Sequence, residues 1–413
     1  PDVNDLKKKT ALRNSKEKFF FITLIVLNIV SIYYLYINPA IKPVKTVYIV
    51  LPALFFLNAL RYLILPFKKV ELSNYNKNDI GNYSKKEIIE MYNEVVESAK
   101  KNNDEIPTLY ITFMPDQFAF TSNYLFFNFI KPLNAIYISE HLFFLLSKNE
   151  IKAILAHEMG HFRYYLNIFT QEKINLFLFF CLSTALLLLL SINPEKIYAQ
   201  VLLYFIFYKI IQFLTVLLIF SNSKSDEYLS DYYAAIKYGK LPMINALLQT
   251  DQTAEMHIHI TIAIAEYILK QDKYSFNDLL VVHDIIIKKL NHNFLNERQC
   301  RQKVKQLFDT QEIKDLASSI EDEERDFRDE EIKAMLDELK SKKGGQLINW
   351  DNFDFNVKDR KIDEIEYPYF IKTLLDNPDK YLFKIFIENI TSENFDEHPS
   401  LRERILFLHK NIY

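Results

Sequence analysis

Apolar and polar positions along this chain are segregated into blocks rather than evenly mixed. Four long apolar runs stand out: Phe19 to Ile37, Val47 to Phe67, Ile174 to Ile192 and Tyr198 to Phe220. Each reaches the roughly 19 residues with which an α-helix crosses a bilayer. A short Pro-containing stretch joins the first two, and the turn Asn193-Pro194-Glu195-Lys196 joins the last two, so the runs read as two helical hairpins. Lys7, Lys8, Lys9, Arg13, Lys16 and Lys18 precede the first run, and Lys68 and Lys69 follow the second. By the positive-inside rule these basic flanks lie on the cytoplasmic side. A basic start before an apolar run also fits a cleaved leader, but no small-residue cleavage site follows; the chain continues Asn38-Pro39-Ala40-Ile41. The first run is therefore read as a retained helix. Lys209 sits in the middle of the fourth run, where a charge is costly in lipid and is expected to face other helices or a wet groove.

Between and after the hairpins the periodicity becomes that of ordinary amphipathic helices. The stretches near Ile258–Leu269 and Leu279–Ile287 carry His, Glu and Asp and are too short to span. Glu321 to Lys343 is dense in charge and ends at Gly344-Gly345, the pattern of an exposed helix with a glycine stop. The helix of most chemical interest starts at Ser147-Lys148-Asn149-Glu150, where Ser147 and Glu150 have capping-box spacing. Ile151, Ile154 and Leu155 carry it on at helical spacing into His157-Glu158-Met159-Gly160-His161. His157 and His161, four apart, share one face, and two imidazoles there can converge on one zinc ion. Glu158 is placed to take a proton from water activated by such a metal. The five-residue pattern is permissive, and a surface helix with two histidines is its plain alternative. The capped, largely apolar context and a glycine beside the second histidine, where a neighbour can pack closely, favour the metal.

A catalytic zinc needs a third protein ligand. After the fourth run comes Ser223-Lys224-Ser225-Asp226-Glu227-Tyr228-Leu229-Ser230-Asp231. Glu227 and Asp231 are again four apart. Glu227 can ligate, and Asp231 can accept the outer N–H of a ligating histidine and fix its tautomer. Asp226 competes as a ligand but points about 100° away from Glu227 on a helix. His257 and His259 are only two apart, which fits a partly buried helix or strand better than a second metal site.

Composition narrows the function. A net charge of -3 is no signature of a nucleic-acid partner. Two cysteines, Cys181 and Cys300, exclude a disulfide framework.

These motifs together resemble the integral-membrane gluzincin zinc metallopeptidases of the HtpX heat-shock protease and CAAX prenyl protease type, with the HtpX-like branch closer. That family has His-Glu-x-x-His, a membrane hairpin, and then Ser-Arg-x-x-Glu-Tyr-x-Ala-Asp, whose Glu binds zinc. This chain matches at Ser223, Glu227, Tyr228 and Asp231; it departs at Lys224 in place of Arg and at Ser230 in place of Ala. Pro115-Asp116-Gln117-Phe118-Ala119-Phe120-Thr121 resembles a family segment Pro-Asn-Ala-Phe on an edge strand that pairs with substrate backbone. The resemblance thus implies substrate contacts at Gln117, Phe118, Ala119, Phe120 and Thr121. His398-Pro399, with Arg404 six residues on from His398, resembles a family His-Pro segment. It implies that His398 and Arg404 approach the site, stabilising an oxyanion or orienting ligands and substrate. The likeness is dense over 107–231 and 396–408 and thin over 240–390.

The expected fold is mainly α with a small β-sheet. It comprises four transmembrane helices in two hairpins, a zincin-like catalytic domain and a helical C-terminal lobe. The expected layout is a basic N-terminus (1–18), a first hairpin (19–67), a catalytic part with edge strand and motif helix (68–171), a second hairpin (172–220), a third-ligand helix (221–239), a helical insertion (240–390) and a C-terminal segment (391–413). The implied activity is zinc-dependent endoproteolysis of membrane or misfolded proteins, with one Zn2+ per chain and contact with a lipid bilayer. The implied location is the bacterial inner membrane, with the active site facing the cytoplasm. The alternatives are a prenyl-protein processing peptidase, whose branch usually has more spans, and an inert zinc-binding membrane scaffold, for which Glu158 would have no use.

Overall fold

In the computed structural model the described residues are 1–37, 69–100, 106–113, 119–123, 131–164, 209, 223–268, 297–308, 310, 346–383 and 399–412. In chain order the elements that position the site are α1 (Val3–Ile37), β1 (Lys69–Glu71), α2 (Lys85–Lys100), β2 (Thr108–Thr112), β3 (Ala119–Asn123), β4 (Asn134–Ser139), α3 (Lys148–Tyr164), α4 (Ser223–Tyr238), α5 (Lys240–Ile268), α6 (Glu297–Phe308), α7 (Tyr367–Asp376) and α8 (Leu401–Asn411).

The sheet has four strands in the order β1-β2-β4-β3. β2 and β4 lie parallel at its centre, with Thr108 opposite Ala135 and Thr112 opposite Ser139. Their Ile and Tyr side chains fit a pleated surface covered on both faces; Ile111, Ile136, Tyr137 and Ile138 are fully buried. β3 runs antiparallel to β4, Thr121 facing Ile136, and forms an edge among the described strands. The family resemblance implies an edge strand at this place.

Helix starts follow local chemistry. Ser84 and Glu87 exchange hydrogen bonds ahead of α2, and Ser400 and Glu403 do the same ahead of α8. At α3 the backbone N–H of Ser147 donates to Glu150 Oε2 at 2.6 Å, as the capping-box spacing predicts. The buried Glu150 also receives Lys361 Nζ at 2.8 Å, which ties the 354–366 segment to the start of the motif helix. Asn245 on α5 holds the same segment through both the N–H and the C=O of Ile362.

One apolar core joins these parts. It runs from Val3 and Leu6 on α1 through Ile111 and Ile138 of the sheet, Ile151 and Leu155 of α3 and Leu229 of α4, to Ile405 and Leu408 on α8. The first and last helices of the chain thus meet around α3 and α4. His257 and His259 lie buried within α5, as a helical reading of that stretch expects.

The four-span membrane architecture is corrected. Among the described residues no helix is long and apolar enough to cross a membrane. The same finding overturns the integral-membrane location with a cytoplasm-facing site. The runs from Val47, Ile174 and Tyr198 lie outside the described residues, apart from the exposed Lys209. The first run falls in the second half of α1. Its basic first half is no free topological flank: Leu6, Thr10 and Arg13 are buried against the rest of the protein. Apolar composition alone does not decide what surrounds a helix: Phe19, Ile22, Val26 and Tyr33 of this run are exposed on α1. The charged segment Glu321 to Lys343, Cys181, and the stretch Leu279–Ile287 also lie outside the described residues. Cys300 is buried on α6.

Candidate metal centre

The site is built where α3 crosses α4. Gly160 sets how closely they approach: a Cβ there would stand 2.6 Å from the Cα of Ser230. No side chain fits such a gap, so the glycine beside His161 lets the two helices meet backbone to backbone. That crossing brings His157 and His161 against Glu227. The two Nε2 atoms are 3.0 Å apart. Glu227 Oε1 lies 3.4 Å from His161 Nε2, and its Oε2 lies 3.6 Å from His157 Nε2. The three donor atoms all fall within 4.8 Å of one another. Asp226 points elsewhere, as the helical angle predicts, and is engaged by α1.

Outer contacts orient this cluster. His157 Nδ1 lies 2.8 Å from Oδ1 of Asp231, a fully buried carboxylate. A carboxylate only accepts, so this contact places the proton on Nδ1 and leaves Nε2 with its lone pair toward Glu227. Arg404 closes on Asp231 as a fork, Nε to Oδ2 at 2.7 Å and Nη2 to Oδ1 at 2.6 Å. Its Nη2 also lies 3.4 Å from Glu227 Oε2. Burial pushes Asp231 up, but Arg404 and then His157 outweigh it and hold the carboxyl below its ordinary range. Burial acts against charge on both imidazoles. On His157, Asp231 and Glu227 overcome it and raise the pKa; on His161 it prevails and the pKa is lowered.

The donor set fits a metal ion. Two imidazole nitrogens at 3.0 Å with a carboxylate beside them are three electron-rich atoms converging in a largely buried place. With His157 protonated on Nδ1, its Nε2 lone pair faces His161 Nε2 across 3.0 Å, a gap that a proton on His161 or a cation can bridge. Two histidines and one glutamate match the ligand types zinc accepts at catalytic sites.

Glu158 is buried next to this cluster, and Thr121 Oγ1 on β3 donates to its Oε2 at 2.5 Å. Thr121 therefore faces the site, while its neighbour Phe120 stacks on Tyr137 with ring centroids 4.7 Å apart on the opposite face of the sheet. Ala119 is half-buried on the same strand. Gln117, Phe118 and His398 lie outside the described residues; Pro399 is buried. Lys224, standing where the resembled family has arginine, is exposed. The structure thus brings together His157, Glu158, His161, Glu227, Asp231, Arg404 and Thr121.

Three further partners at the site were not placed there by the sequence. Ser230 faces His161, with Oγ 3.3 Å from Nδ1. Arg13 of α1 reaches Asp226 with Nη1 to Oδ2 at 2.5 Å, both side chains buried. Thr10 adds a hydrogen bond to the other oxygen at 3.3 Å. Desolvation pushes Asp226 up to about 6 even against the pull of Arg13. Only the departure of Ser230 from the resembled family hinted at any of these.

Among protein families, the model of peptidase family M48 matches residues 84–412, well over half of the chain. No curated protein and no solved structure matches it. The chain belongs to peptidase family M48 and is a metallopeptidase of a family that is generally zinc-dependent. The match does not separate the HtpX-like from the CAAX branch.

Proposed function

We propose that this M48 peptidase is an endopeptidase whose zinc is held by His157, His161 and Glu227 and whose general base is Glu158. The observation that carries the reading is the convergence of the two Nε2 atoms and the Glu227 carboxylate, with Glu158 one residue along the same helix. When bound, zinc supplies a Lewis acid that polarises the scissile carbonyl and makes water a nucleophile near neutral pH.

The chain's own residues do the rest. Glu158 takes a proton from the attacking water as the C–O bond forms, then gives it to the amine as the C–N bond breaks. The Thr121 hydroxyl, donating to one Glu158 oxygen, holds the carboxylate in place and leaves its other oxygen for this transfer. Asp231 orients His157, and Arg404 balances the charge of Asp231 and Glu227. Of the two roles the resemblance implies for Arg404, at an oxyanion or in orienting ligands and substrate, its fork on Asp231 favours orienting the ligands. An extended polypeptide would add to β3, the edge of the sheet among the described strands, gaining main-chain hydrogen bonds with limited side-chain selection. Water, polypeptide and base would then meet beside Thr121.

The test is Glu158→Gln in the full chain. Zinc content should stay at the wild-type level while cleavage of an unfolded protein such as casein is lost. Undiminished proteolysis by this variant would remove Glu158 from the role of base.

A further inference from the structure

Each of the two histidines presents one ring nitrogen to the ligand cluster and turns the other outward. For His157 the outward nitrogen meets Asp231. For His161 it meets Ser230, the residue immediately before Asp231 on α4. We propose that Ser230 is a positioning residue of the metal centre, its hydroxyl accepting the Nδ1–H of His161 and so presenting the Nε2 lone pair to the metal. The inference rests on the reading of His157, His161 and Glu227 as ligands and adds the group that orients the second of them.

Several observations converge on it. Ser230 is fully buried. A buried hydroxyl is costly to leave without a partner, so its approach to a ring nitrogen at 3.3 Å is a contact the fold has reason to keep. The opposite ring nitrogen, Nε2, stands 3.4 Å from Glu227 Oε1 and 3.0 Å from His157 Nε2. Only a ring protonated on Nδ1 can give its Nε2 lone pair to a metal there, and Ser230 Oγ is an acceptor at the right nitrogen. The contact depends on Gly160, the residue before His161: a Cβ at that position would lie 2.9 Å from Ser230 Oγ and 2.6 Å from its Cα. Consecutive residues on one helix thereby serve two histidines a turn apart on the other, because the helices cross at Gly160.

The two outer partners are unequal in kind. Asp231 is a charged acceptor backed by Arg404, and Ser230 is a neutral one. His157 is therefore held more strongly than His161, and the hydroxyl supplies orientation without adding a second buried charge to the site. The resembled family usually has alanine where this chain has Ser230, so the device belongs to this chain's own solution of the site.

The experiment compares the full-length protein with Ser230→Ala. Zinc affinity is measured by competition with a chromophoric chelator, and the His161 tautomer by long-range 1H–15N spectra of histidine-labelled, metal-free protein, assigned with His161→Gln. In the wild type His161 should be protonated on Nδ1. In Ser230→Ala that preference should be lost and zinc bound about tenfold more weakly, the lower end of what outer partners of metal ligands contribute. Circular dichroism should be unchanged, since alanine removes one oxygen and adds no atom at the crossing. A wild-type His161 carrying its proton on Nε2 overturns the proposal even if the variant fails to fold. So does a variant with wild-type affinity and tautomer. A wild-type protein that binds no zinc would instead overturn the ligand reading beneath it.

Discussion

Replacing Arg13 with alanine should destabilise the protein far more than loss of a helical surface arginine would. Arg13 Nη1 lies 2.5 Å from Asp226 Oδ2, with only 2% and 4% of the two side chains exposed. Exposed ion pairs contribute roughly 0–1 kcal/mol, but removing one partner of a buried pair costs about 3–5 kcal/mol because the other charge is left behind. Here the remaining carboxylate has an escape. Desolvation already pushes Asp226 up to about 6 with Arg13 present. Without Arg13 it moves higher and takes up a proton near neutral pH, which limits the penalty to the lower end, about 3 kcal/mol. That is still a sizeable part of a typical folding stability of about 5–15 kcal/mol. The assay is urea unfolding of wild type, Arg13→Ala and the apolar pair Arg13→Met with Asp226→Leu. The single variant should lower the midpoint with little change in slope. The apolar pair should recover most of the loss, because side chains of similar volume can replace a buried ion pair. The neighbouring Glu227 makes zinc affinity fall in the single variant as well. A loss under about 1 kcal/mol for Arg13→Ala would show that the pair behaves as an exposed one, and the packing of α1 on α4 would have to be rejected.

Other substitutions probe separate contacts. Gly160→Ala should force α3 and α4 apart, since its Cβ would meet the Ser230 Cα at 2.6 Å; zinc affinity and thermal midpoint should both drop, and a neutral result would deny the close crossing. Arg404→Lys keeps the charge but cannot fork onto Asp231, so stability should fall by about 1–3 kcal/mol in denaturant unfolding, whereas full retention would show that charge alone suffices. Thr121→Val should reduce kcat on the order of tenfold with zinc content unchanged and KM little altered, as expected for one hydrogen bond to a charged group. Thr121→Ser should restore it, and an unchanged kcat in the valine variant would exclude the contact from catalysis.

What could be read from the sequence was what depends on local spacing. Helical repeat alone puts His157 and His161 on one face and separates Glu227 from Asp226, and the cap at Ser147 and Glu150 follows from neighbours in sequence. Asp231 was legible for the same reason, being one turn beyond a ligand. The roles that escaped depend on how distant elements approach. Ser230 reaches His161 only because Gly160 admits the other helix, and Thr121 meets Glu158 only when the edge strand lies along α3. Arg404 could be placed near the site by resemblance, but its partner is decided by the angle of α8, which aims it at Asp231. The membrane architecture failed for a related reason. Hydropathy records what a segment is made of and not what it packs against, and Arg13, counted as a flank charge, is buried against Asp226.

The most direct test is the zinc content of purified wild type and Glu227→Gln, measured by plasma mass spectrometry after dialysis. A glutamine keeps the shape of the side chain and removes its charge. Wild type should carry about one zinc per chain and Glu227→Gln little or none, as the three-ligand centre requires. Wild-type zinc content in Glu227→Gln, with unchanged affinity, would contradict the assignment of the third ligand and with it the centre described above.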